Sequence, residues 1–329
     1  MSDSEHNILI IYTGGTIGMQ PSDSGFTASK GFEQLLKDHL SENQYAQLEN
    51  STILELDQPI DSSNATPNDW YKIAKCIANN YQTYTAFIVL HGTDTMAYSA
   101  CALHYLLGCN IKPVVFSGSQ IPLSQAASDA HKNITDAVAF AKHSQLNQVA
   151  ISFNGKLFSA LRATKVHTSD FSAFNSPNAQ PLASIDKHTQ EIHFIDKPST
   201  AKQTCNKTLT TSNLNKLVTK PPKDKVGVLL LHPCISNQVI EATFDNPNTQ
   251  AVVMLSYGAG NPPDENRYLL NSLKKARERG VVILNKSQCF QGSVAQGNYA
   301  VGSALNELGV TSAQDRTLED LVTDLYINF

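Results

Sequence analysis

Two threonines, Thr16 and Thr93, stand where a hydroxyl group could do chemistry. Each follows an apolar run of strand length and a glycine turn, within the segments Ile10–Thr16 and Val89–Thr95. In a parallel sheet both turns open at the carboxyl edge, where such folds bind their ligands. Asp94 adds a carboxylate beside Thr93. Two hydroxyls and a carboxylate in one crevice indicate acyl transfer.

Each turn also has a purely structural explanation. The pair Gly14 and Gly15 could serve only a tight strand-to-loop turn, since glycine readily adopts positive φ. Its spacing does not fit the dinucleotide-binding fingerprint G-x-G-x-x-G. Thr93 or Asp94 could simply cap the next helix. A cap needs one residue, however, and Thr95 makes three polar residues here, which favours a functional role.

Lys165 is the candidate for completing a proton relay with Thr93 and Asp94. A threonine hydroxyl is a poor nucleophile and must be activated by a base, and a desolvated lysine can serve as one. Without that context a lone lysine is an ordinary surface charge. His91 is interpreted as a satisfied polar group, because no serine or cysteine nucleophile is placed opposite it.

Two polar segments could serve a substrate. Residues 19–31, directly after Thr16, are rich in glycine, serine and proline and contain one aromatic residue, Phe26; this composition is typical of a mobile lid that excludes water. Asp61, Ser62 and Ser63 follow the second predicted strand. They could form only a cap and turn before the helix that begins near Pro67, or they could bind the ammonium and carboxylate of an amino acid.

Strands and helices must alternate along the chain to position these residues. Apolar runs predict strands at 8–12, 53–56, 87–91, 114–117 and 149–153, and apolar residues at helical spacing predict helices around 70–77, 97–107 and 127–141. This alternation predicts βαβ units and a parallel sheet with both faces covered.

The same alternation resumes after a polar, threonine-rich stretch that ends in Pro221 and Pro222. Strands are predicted at 226–231, 251–255 and 281–284, and helices at 235–244, 266–279 and 318–326. We therefore expect an α/β protein with a larger N-terminal parallel-sheet domain (residues 1–190) that carries the active site. A linker (191–225) and a smaller C-terminal α/β domain (226–329) follow it.

Composition excludes several functional classes. The 329 residues carry a net charge of -4, only 16% are charged, and no basic cluster is present, so we expect no nucleic-acid partner. Neither a signal peptide nor a membrane span is predicted. The six cysteines lack the spacing of a zinc site or a disulfide framework and are expected to be reduced thiols of a cytoplasmic protein.

The chain closely resembles bacterial L-asparaginases, in particular the cytoplasmic type I branch. The resemblance rests on two long segments, Tyr12–Met19 and Leu90–Tyr98, which match the two signature motifs of that family. Further matches in the same order and spacing are Asp61–Ser63, Ser117–Leu123, Lys165 and Ser256–Asn261. Nearly the whole chain is covered.

The resemblance implies hydrolysis of L-asparagine to L-aspartate and ammonia, without metal or organic cofactor, in a homotetramer built from intimate dimers. Thr16 would be the nucleophile, activated by the relay of Thr93, Asp94 and Lys165. The groups expected to bind substrate are Asp61, Ser62, Ser63, the backbone of Ser119, and the backbone N–H groups of the turns at Gly15 and Gly92. Asn261 would belong to a region completed across the dimer interface, either the active site or a nearby effector site.

Two positions depart from the family pattern. The lid tyrosine of the family is replaced by Phe26, and an arginine used by type I enzymes with an effector site is replaced by Leu255; an effector site built differently would involve Thr164, Cys289 and Asn261. Two alternatives remain open at this point. One is an asparagine- or aspartate-binding sensor that has lost the chemistry, and the other is the amidase subunit of a tRNA-dependent amidotransferase.

Overall fold

The computed structural model of the protein describes residues 7–23, 25–28, 30–143, 145–195, 225–296 and 305–329. The chain forms two compact units, residues 1–220 and residues 221–329, each with a sheet of its own. No helix within the described ranges has the length and apolar character to cross a lipid bilayer.

The first unit is built on an eight-stranded sheet with the order β12-β11-β8-β7-β6-β5-β1-β4. The strands of this unit are β1 (Ile8–Gly14), β2 (Met19–Ser22), β3 (Gly25–Ala28), β4 (Ser51–Ile60), β5 (Ala86–Leu90), β6 (Val114–Ser117), β7 (Val149–Phe153), β8 (Lys156–Ser159), β9 (Thr164–Lys165), β10 (Phe174–Asn175), β11 (Ala183–Ile185) and β12 (Ile192–Phe194). The pairs β2–β3 and β9–β10 form separate two-stranded sheets.

The strands β4, β1, β5, β6 and β7 run parallel to their neighbours. Along β1, Ile8 and Ile10 belong to the core on one face of the sheet, while Leu9 and Ile11 point to the other face and are equally buried. A strand buried on both faces reads as a continuous apolar run. The predicted fold class, with its large parallel-dominated sheet and smaller second sheet, is confirmed.

The edge of the large sheet beyond β7 is antiparallel, a feature that the sequence did not predict. β8 returns along β7, and β11 and β12 extend the edge in the same antiparallel manner. β12 falls in the range 191–225 that was predicted as a linker, so the first sheet continues to Phe194 because this strand pairs with β11. The rest of that predicted linker, residues 196–224, lies outside the described residues.

Helices cover the sheet and begin at identifiable caps. The helices of this unit are α1 (Phe32–His39), α2 (Glu42–Ala46), α3 (Pro67–Asn80), α4 (Met96–Leu107) and α5 (Ala130–Ala141), with 3-10 turns at Thr16–Gly18, Ser62–Asn64 and Ala160–Arg162. In α3, Thr66 and Asp69 form a capping box and Pro67 occupies the first turn, as the sequence predicted. Phe32 and Leu36 of α1 pack in the same core cluster as Ile134 of α5.

The second unit repeats the alternation on a smaller scale. Its strands β13 (Val226–Leu230), β14 (Ala251–Ser256), β15 (Val282–Ser287) and β16 (Thr311–Ser312) form one parallel sheet in chain order. Its helices are α6 (Asn237–Phe244), α7 (Arg267–Glu278) and α8 (Leu318–Asn328). Every strand and helix predicted after residue 225 has a counterpart here, whereas β16 was not anticipated.

The cysteines follow the prediction in part. Cys76, Cys101, Cys234 and Cys289 are free thiols. Cys109 is disulfide-bonded, so the prediction of a reduced thiol is wrong at this position. Cys101 is enclosed within α4, whereas Cys109 lies half-buried just beyond that helix, where the apolar helical pattern behind the prediction no longer applies. Cys205 lies outside the described residues.

Candidate active site

The turn after β1 presents Thr16 at the carboxyl edge of the sheet. Gly14 and Gly15 adopt φ of 113° and 84°, and Thr16 opens the 3-10 turn that ends at Gly18. Glycine at position 15 is required for a second reason, since a Cβ there would overlap the backbone of Gly92. The turns of the two candidate threonines are therefore packed directly against each other.

The loop after β4 joins the same contact. A Cβ on Gly92 would overlap the side chain of Ser62, and the hydroxyl of Thr95 donates a hydrogen bond of 2.7 Å to the carbonyl of Ser62. β1 lies between β4 and β5 in the sheet, so their three carboxyl ends are neighbours. The expectation that these turns share one edge of a parallel sheet is confirmed.

Neither Thr93 nor Asp94 caps the helix that follows them. α4 begins at Met96 with Thr95 at its N-cap position, and no side chain makes a cap hydrogen bond. Capping therefore does not account for these two side chains. Both are instead hydrogen-bonded to Lys165, which reaches them from β9.

Lys165 connects the hydroxyl and the carboxylate of this turn. Its Nζ donates to Thr93 Oγ1 at 2.8 Å and to Asp94 Oδ1 at 2.7 Å. The lysine side chain is 19% exposed and that of Asp94 is 59% exposed, so the charge pair has a covered side and an open side. A hydroxyl, a carboxylate and an amine lie in hydrogen-bond contact, as a proton relay requires.

The predicted substrate loop is folded back on its own carboxylate. Asp61 Oδ1 accepts a hydrogen bond of 3.1 Å from the backbone N–H of Ser63, and Asp61 Oδ2 lies 3.4 Å from the side-chain amide of Asn64. Asp61 and Ser63 are exposed while Ser62 is buried. The loop thus presents a carboxylate and a hydroxyl to solvent beside the turn of Thr93.

The loop after β6 carries residues for which the sequence suggested no role. Asp129 accepts hydrogen bonds of 3.0 Å from the backbone N–H groups of both Gln120 and Ile121. The Gln120 amide donates to the carbonyl of Asp170 at 3.1 Å, and its oxygen lies 3.4 Å from Thr93 Oγ1. Ser119 is buried, and its hydroxyl donates to Ile121 O at 2.6 Å. Gln120 stood in a segment already singled out, but nothing in the spacing pointed to Asp129.

His91 is a satisfied, buried imidazole, as the sequence indicated. Its Nδ1 lies 2.7 Å from the carbonyl of Gly92, which can only accept, so Nδ1 carries the proton. Nε2 then accepts from the hydroxyl of Ser99 at 3.0 Å. Burial lowers the pKa of His91 and keeps the ring neutral.

The remaining residues named from the sequence are Phe26 and Thr164 in the first unit and Asn261, Cys289 and Leu255 in the second. Phe26 is on β3 of the hairpin and is 48% exposed. Thr164 precedes Lys165 on β9. In the second unit, Asn261 forms an isolated bridge with Tyr257, and exposed Cys289 donates its backbone N–H to Ser287 Oγ at 3.0 Å. Leu255 is half-buried on β14.

Clusters of side chains able to bind a metal ion are absent from the part of the chain that the structure describes. No three histidine, cysteine, aspartate or glutamate side chains lie close enough there to hold an ion. The chemistry available to the described site is that of hydroxyls, a carboxylate, an amine and backbone N–H groups.

Comparison with known proteins gives consistent matches over both units. Residues 7–200 match the family described as asparaginase, N-terminal, and residues 225–328 match the glutaminase/asparaginase C-terminal domain. L-asparaginase 1 of Escherichia coli (strain K12) is 37% identical over 321 residues, which cover 97% of this chain and 90% of that protein.

Solved structures agree. The crystal structure of L-asparaginase I from Vibrio cholerae O1 biovar eltor superimposes with a TM-score of 0.82 at 36% identity, covering 99% of this chain and 93% of that one. The probable cytoplasmic L-asparaginase from Campylobacter jejuni gives a TM-score of 0.79 at 25% identity, covering 98% and 94%.

Proposed function

The chain belongs to the asparaginase family, and we infer that it is an amidohydrolase that converts L-asparagine to L-aspartate and ammonia. One observation carries this inference beyond family membership. The turns of Thr16 and Thr93 touch through Gly15 and Gly92, and Lys165 is hydrogen-bonded to Thr93 and Asp94. The turn that carries Thr16 thus adjoins the hydrogen-bonded group of Thr93, Asp94 and Lys165, which supports acyl transfer at this edge of the sheet.

We propose that Thr16 is the nucleophile. Its oxygen attacks the carbon of the side-chain amide while its proton passes toward the Thr93–Asp94–Lys165 relay. The carbonyl π electrons move onto oxygen, and the backbone N–H groups at Gly15 and Gly92 stabilise that oxyanion; one such donor contributes on the order of 3 kcal/mol. The C–N bond then breaks, ammonia leaves with a proton from the relay, and an acyl-threonine ester remains. Water hydrolyses the ester and restores the hydroxyl.

The groups that recognise the substrate lie beside this turn in the proposal. The carboxylate of Asp61 binds the α-ammonium group, and Ser62 and Ser63 bind the α-carboxylate. The backbone of Ser119 contacts the side-chain amide. No metal or organic cofactor takes part.

We also propose a cellular location and an assembly for the protein. We place the protein in the cytoplasm and assign it to asparagine catabolism; the similar Campylobacter jejuni protein is a probable cytoplasmic L-asparaginase. Its assembly is proposed to be a homotetramer built from intimate dimers, with Asn261 in a region completed by a second subunit. The division into residues 1–190, 191–225 and 226–329 stays a prediction.

Purified protein incubated with L-asparagine tests the proposal directly. Stoichiometric ammonia and L-aspartate are expected, together with an aspartyl ester on the peptide that contains Thr16 when the reaction is quenched in acid and examined by mass spectrometry. Binding of L-asparagine without ammonia release would instead identify a sensor. The amidotransferase-subunit alternative is not favoured, because L-asparaginase 1 of Escherichia coli is matched over 90% of its own length at 37% identity.

A further inference from the structure

The segments that flank the hairpin β2–β3 contact two residues that are neighbours on adjacent strands of the large sheet. Tyr12 on β1 is the register partner of Glu55 on β4. The hairpin begins at Met19, directly after the turn of Thr16, and α1 begins at Phe32, shortly after it ends. The contacts of Tyr12 and Glu55 therefore decide where this segment leaves the domain and where it rejoins it.

Tyr12 contacts the segment at its departure point. A Cβ on Gly18 would overlap the phenol oxygen of Tyr12, and Gly18 closes the turn that Thr16 opens. The phenol oxygen is buried without a hydrogen-bond partner in the described part of the chain. A buried unpaired hydroxyl is destabilising, so a phenylalanine at this position would serve stability better.

Glu55 contacts the segment at its point of return. Its Oε2 accepts a hydrogen bond of 3.0 Å from the backbone N–H of Gly31, and its Oε1 lies 3.4 Å from that of Glu33. A carboxylate is stabilised at the positive end of a helix. Phe32, the first residue of α1, stacks on the ring of Tyr12 with centroids 4.2 Å apart and planes 5° apart.

Between these two points, the described residues of the hairpin form a small sheet that is separate from the large one. Each strand has four residues and pairs only with the other, as a separate two-stranded sheet. Phe26 is half exposed, and a Cβ on Gly25 would meet no atom within 4 Å. The placement of the hairpin thus depends on how its two ends are held.

We propose that Tyr12 and Glu55 together anchor the hairpin and act as positioning residues for the reaction at Thr16. Tyr12 fixes the departure point at Gly18, and Glu55 fixes the return point at Gly31. The catalytic part of this inference rests on the proposed function, in which the hairpin is the lid of an acyl-threonine site.

Limited trypsin digestion tests the anchor without any reference to activity. The peptide bond between Lys30 and Gly31 contains the N–H that donates a hydrogen bond to Glu55. Trypsin can cleave there only when that hydrogen bond has broken and the local backbone has opened. Glu55→Gln should accelerate cleavage after Lys30 by about twofold to tenfold, the factor that corresponds to one weakened hydrogen bond, and Glu55→Ala should accelerate it more. Mass spectrometry identifies the fragments 1–30 and 31–329.

Two controls separate this effect from general loosening. Cleavage after Lys187, in an exposed turn of the same unit, should proceed at the wild-type rate in every variant. Glu33→Gln removes one negative charge from the same helix end, where the Glu33 carboxylate pairs with Lys37 on the surface, and should leave cleavage after Lys30 unchanged. Equal cleavage after Lys30 in wild type, Glu55→Gln and Glu55→Ala would overturn the anchor.

Kinetics test the positioning role. Tyr12→Phe keeps the ring stacked on Phe32 and removes only the oxygen against Gly18, so the thermal midpoint should stay equal or rise. We expect kcat to fall by about twofold to tenfold with KM little changed, again the scale of one polar contact. Tyr84→Phe, a matched loss of a phenol oxygen elsewhere in the unit, should leave kcat unaltered.

The outcomes distinguish the two proposals. Faster cleavage after Lys30 with wild-type kcat in both Tyr12→Phe and Glu55→Gln would make the pair a structural support and overturn its positioning role. A parallel fall of kcat and thermal midpoint in Tyr12→Phe would overturn it as well. If the wild-type protein released no ammonia, the proposed function and the catalytic role would both fail, while the digestion would still decide whether the anchor exists.

Discussion

Lys165 donates a hydrogen bond of 2.8 Å to the hydroxyl of Thr93, a residue 72 positions earlier in the chain. Thr93 is buried in the turn that follows β5, and Lys165 lies on the short strand β9 much later in the unit's sequence. The contact turns a surface lysine and a turn threonine into one hydrogen-bonded group.

Removal of either threonine hydroxyl should abolish hydrolysis without unfolding the protein. Thr16→Ala and Thr93→Val should each lower kcat by roughly 10³-fold or more, since the nucleophile and its activating partner act as a unit. Ammonia release and far-UV circular dichroism measure the two effects. Thr83→Ala, at an exposed turn, is the control. Activity above a few per cent of wild type would remove that threonine from the chemistry.

Lys165→Met should lower kcat by about 10² to 10⁴, the usual contribution of a general base or acid. The side chains are similar in length, and Asp94 is largely exposed, so the carboxylate left behind stays solvated and stability changes little. Steady-state kinetics across a range of pH is the measurement. Lys156→Met, an exposed lysine on β8, should behave as wild type. Normal turnover in Lys165→Met would return this residue to the status of a surface charge.

Asparagine saturation should be close to hyperbolic. The resemblance to type I enzymes predicts an effector-binding arginine at the position of Leu255, and leucine cannot supply the bidentate hydrogen bonds of a guanidinium. Initial rates over a wide range of asparagine concentration decide the point. A clearly sigmoidal curve would contradict the prediction and direct attention to Thr164, Asn261 and Cys289.

Phe26→Tyr should raise kcat by roughly tenfold, about 1.4 kcal/mol of barrier, with little change in KM. The phenyl ring can cover the site, but it cannot hydrogen-bond to the nucleophile or the relay, and such a bond in a desolvated site contributes about 1 to 3 kcal/mol. Comparison of kcat for the two proteins tests this. Equal values would mean that a phenol at this position is dispensable.

The free energy of unfolding should fall as the pH drops below the ordinary pKa of histidine, about 6.5. Burial lowers the pKa of His91 in the folded state, so the unfolded chain binds a proton first, near pH 6.5. Below that pH the free energy of unfolding decreases by up to about 1.4 kcal/mol per pH unit, until the pKa of the folded state is reached. Denaturant unfolding between pH 8 and 5 should show this slope. His91→Gln should flatten it, whereas His188→Gln, in an exposed turn, should not. An unchanged slope in His91→Gln would contradict the assignment.

The central elements of the fold could be predicted because their residues carry a periodic apolar signal. Ile8–Ile11 read as a buried parallel strand, and Trp70, Ile73 and Ile77 marked one face of α3; both elements are present. The short antiparallel strands β8, β11 and β12 were missed, since three or four residues give too little alternation to recognise. The hairpin was interpreted as a loop because Pro21 and Gly25 are poor strand residues, yet a two-stranded ribbon tolerates both.

The site was predictable where one short segment contains its residues. Thr16, and Thr93 with Asp94, follow glycines at strand ends, and the register of β1 with β4 and β5 brings those ends together. The supporting contacts could not be predicted in the same way. Asp129 holds Gln120 from nine residues away and Glu55 holds Gly31 from 24, and no sequence period connects such partners.

The position of β1 within the sheet also governs when the site can exist during synthesis. β1 is translated before either of its neighbours, β4 and β5, and Lys165 follows later still. Until β4 (Ser51–Ile60) has left the ribosome, the apolar run Ile8–Ile11 has two unpaired edges, and one edge stays open until β5 (Ala86–Leu90) follows. An open edge is a segment for chaperones to shield and for nascent chains to aggregate through. In the proposed mechanism, activity requires Lys165, so it cannot appear until long after the proposed nucleophile Thr16 has been translated.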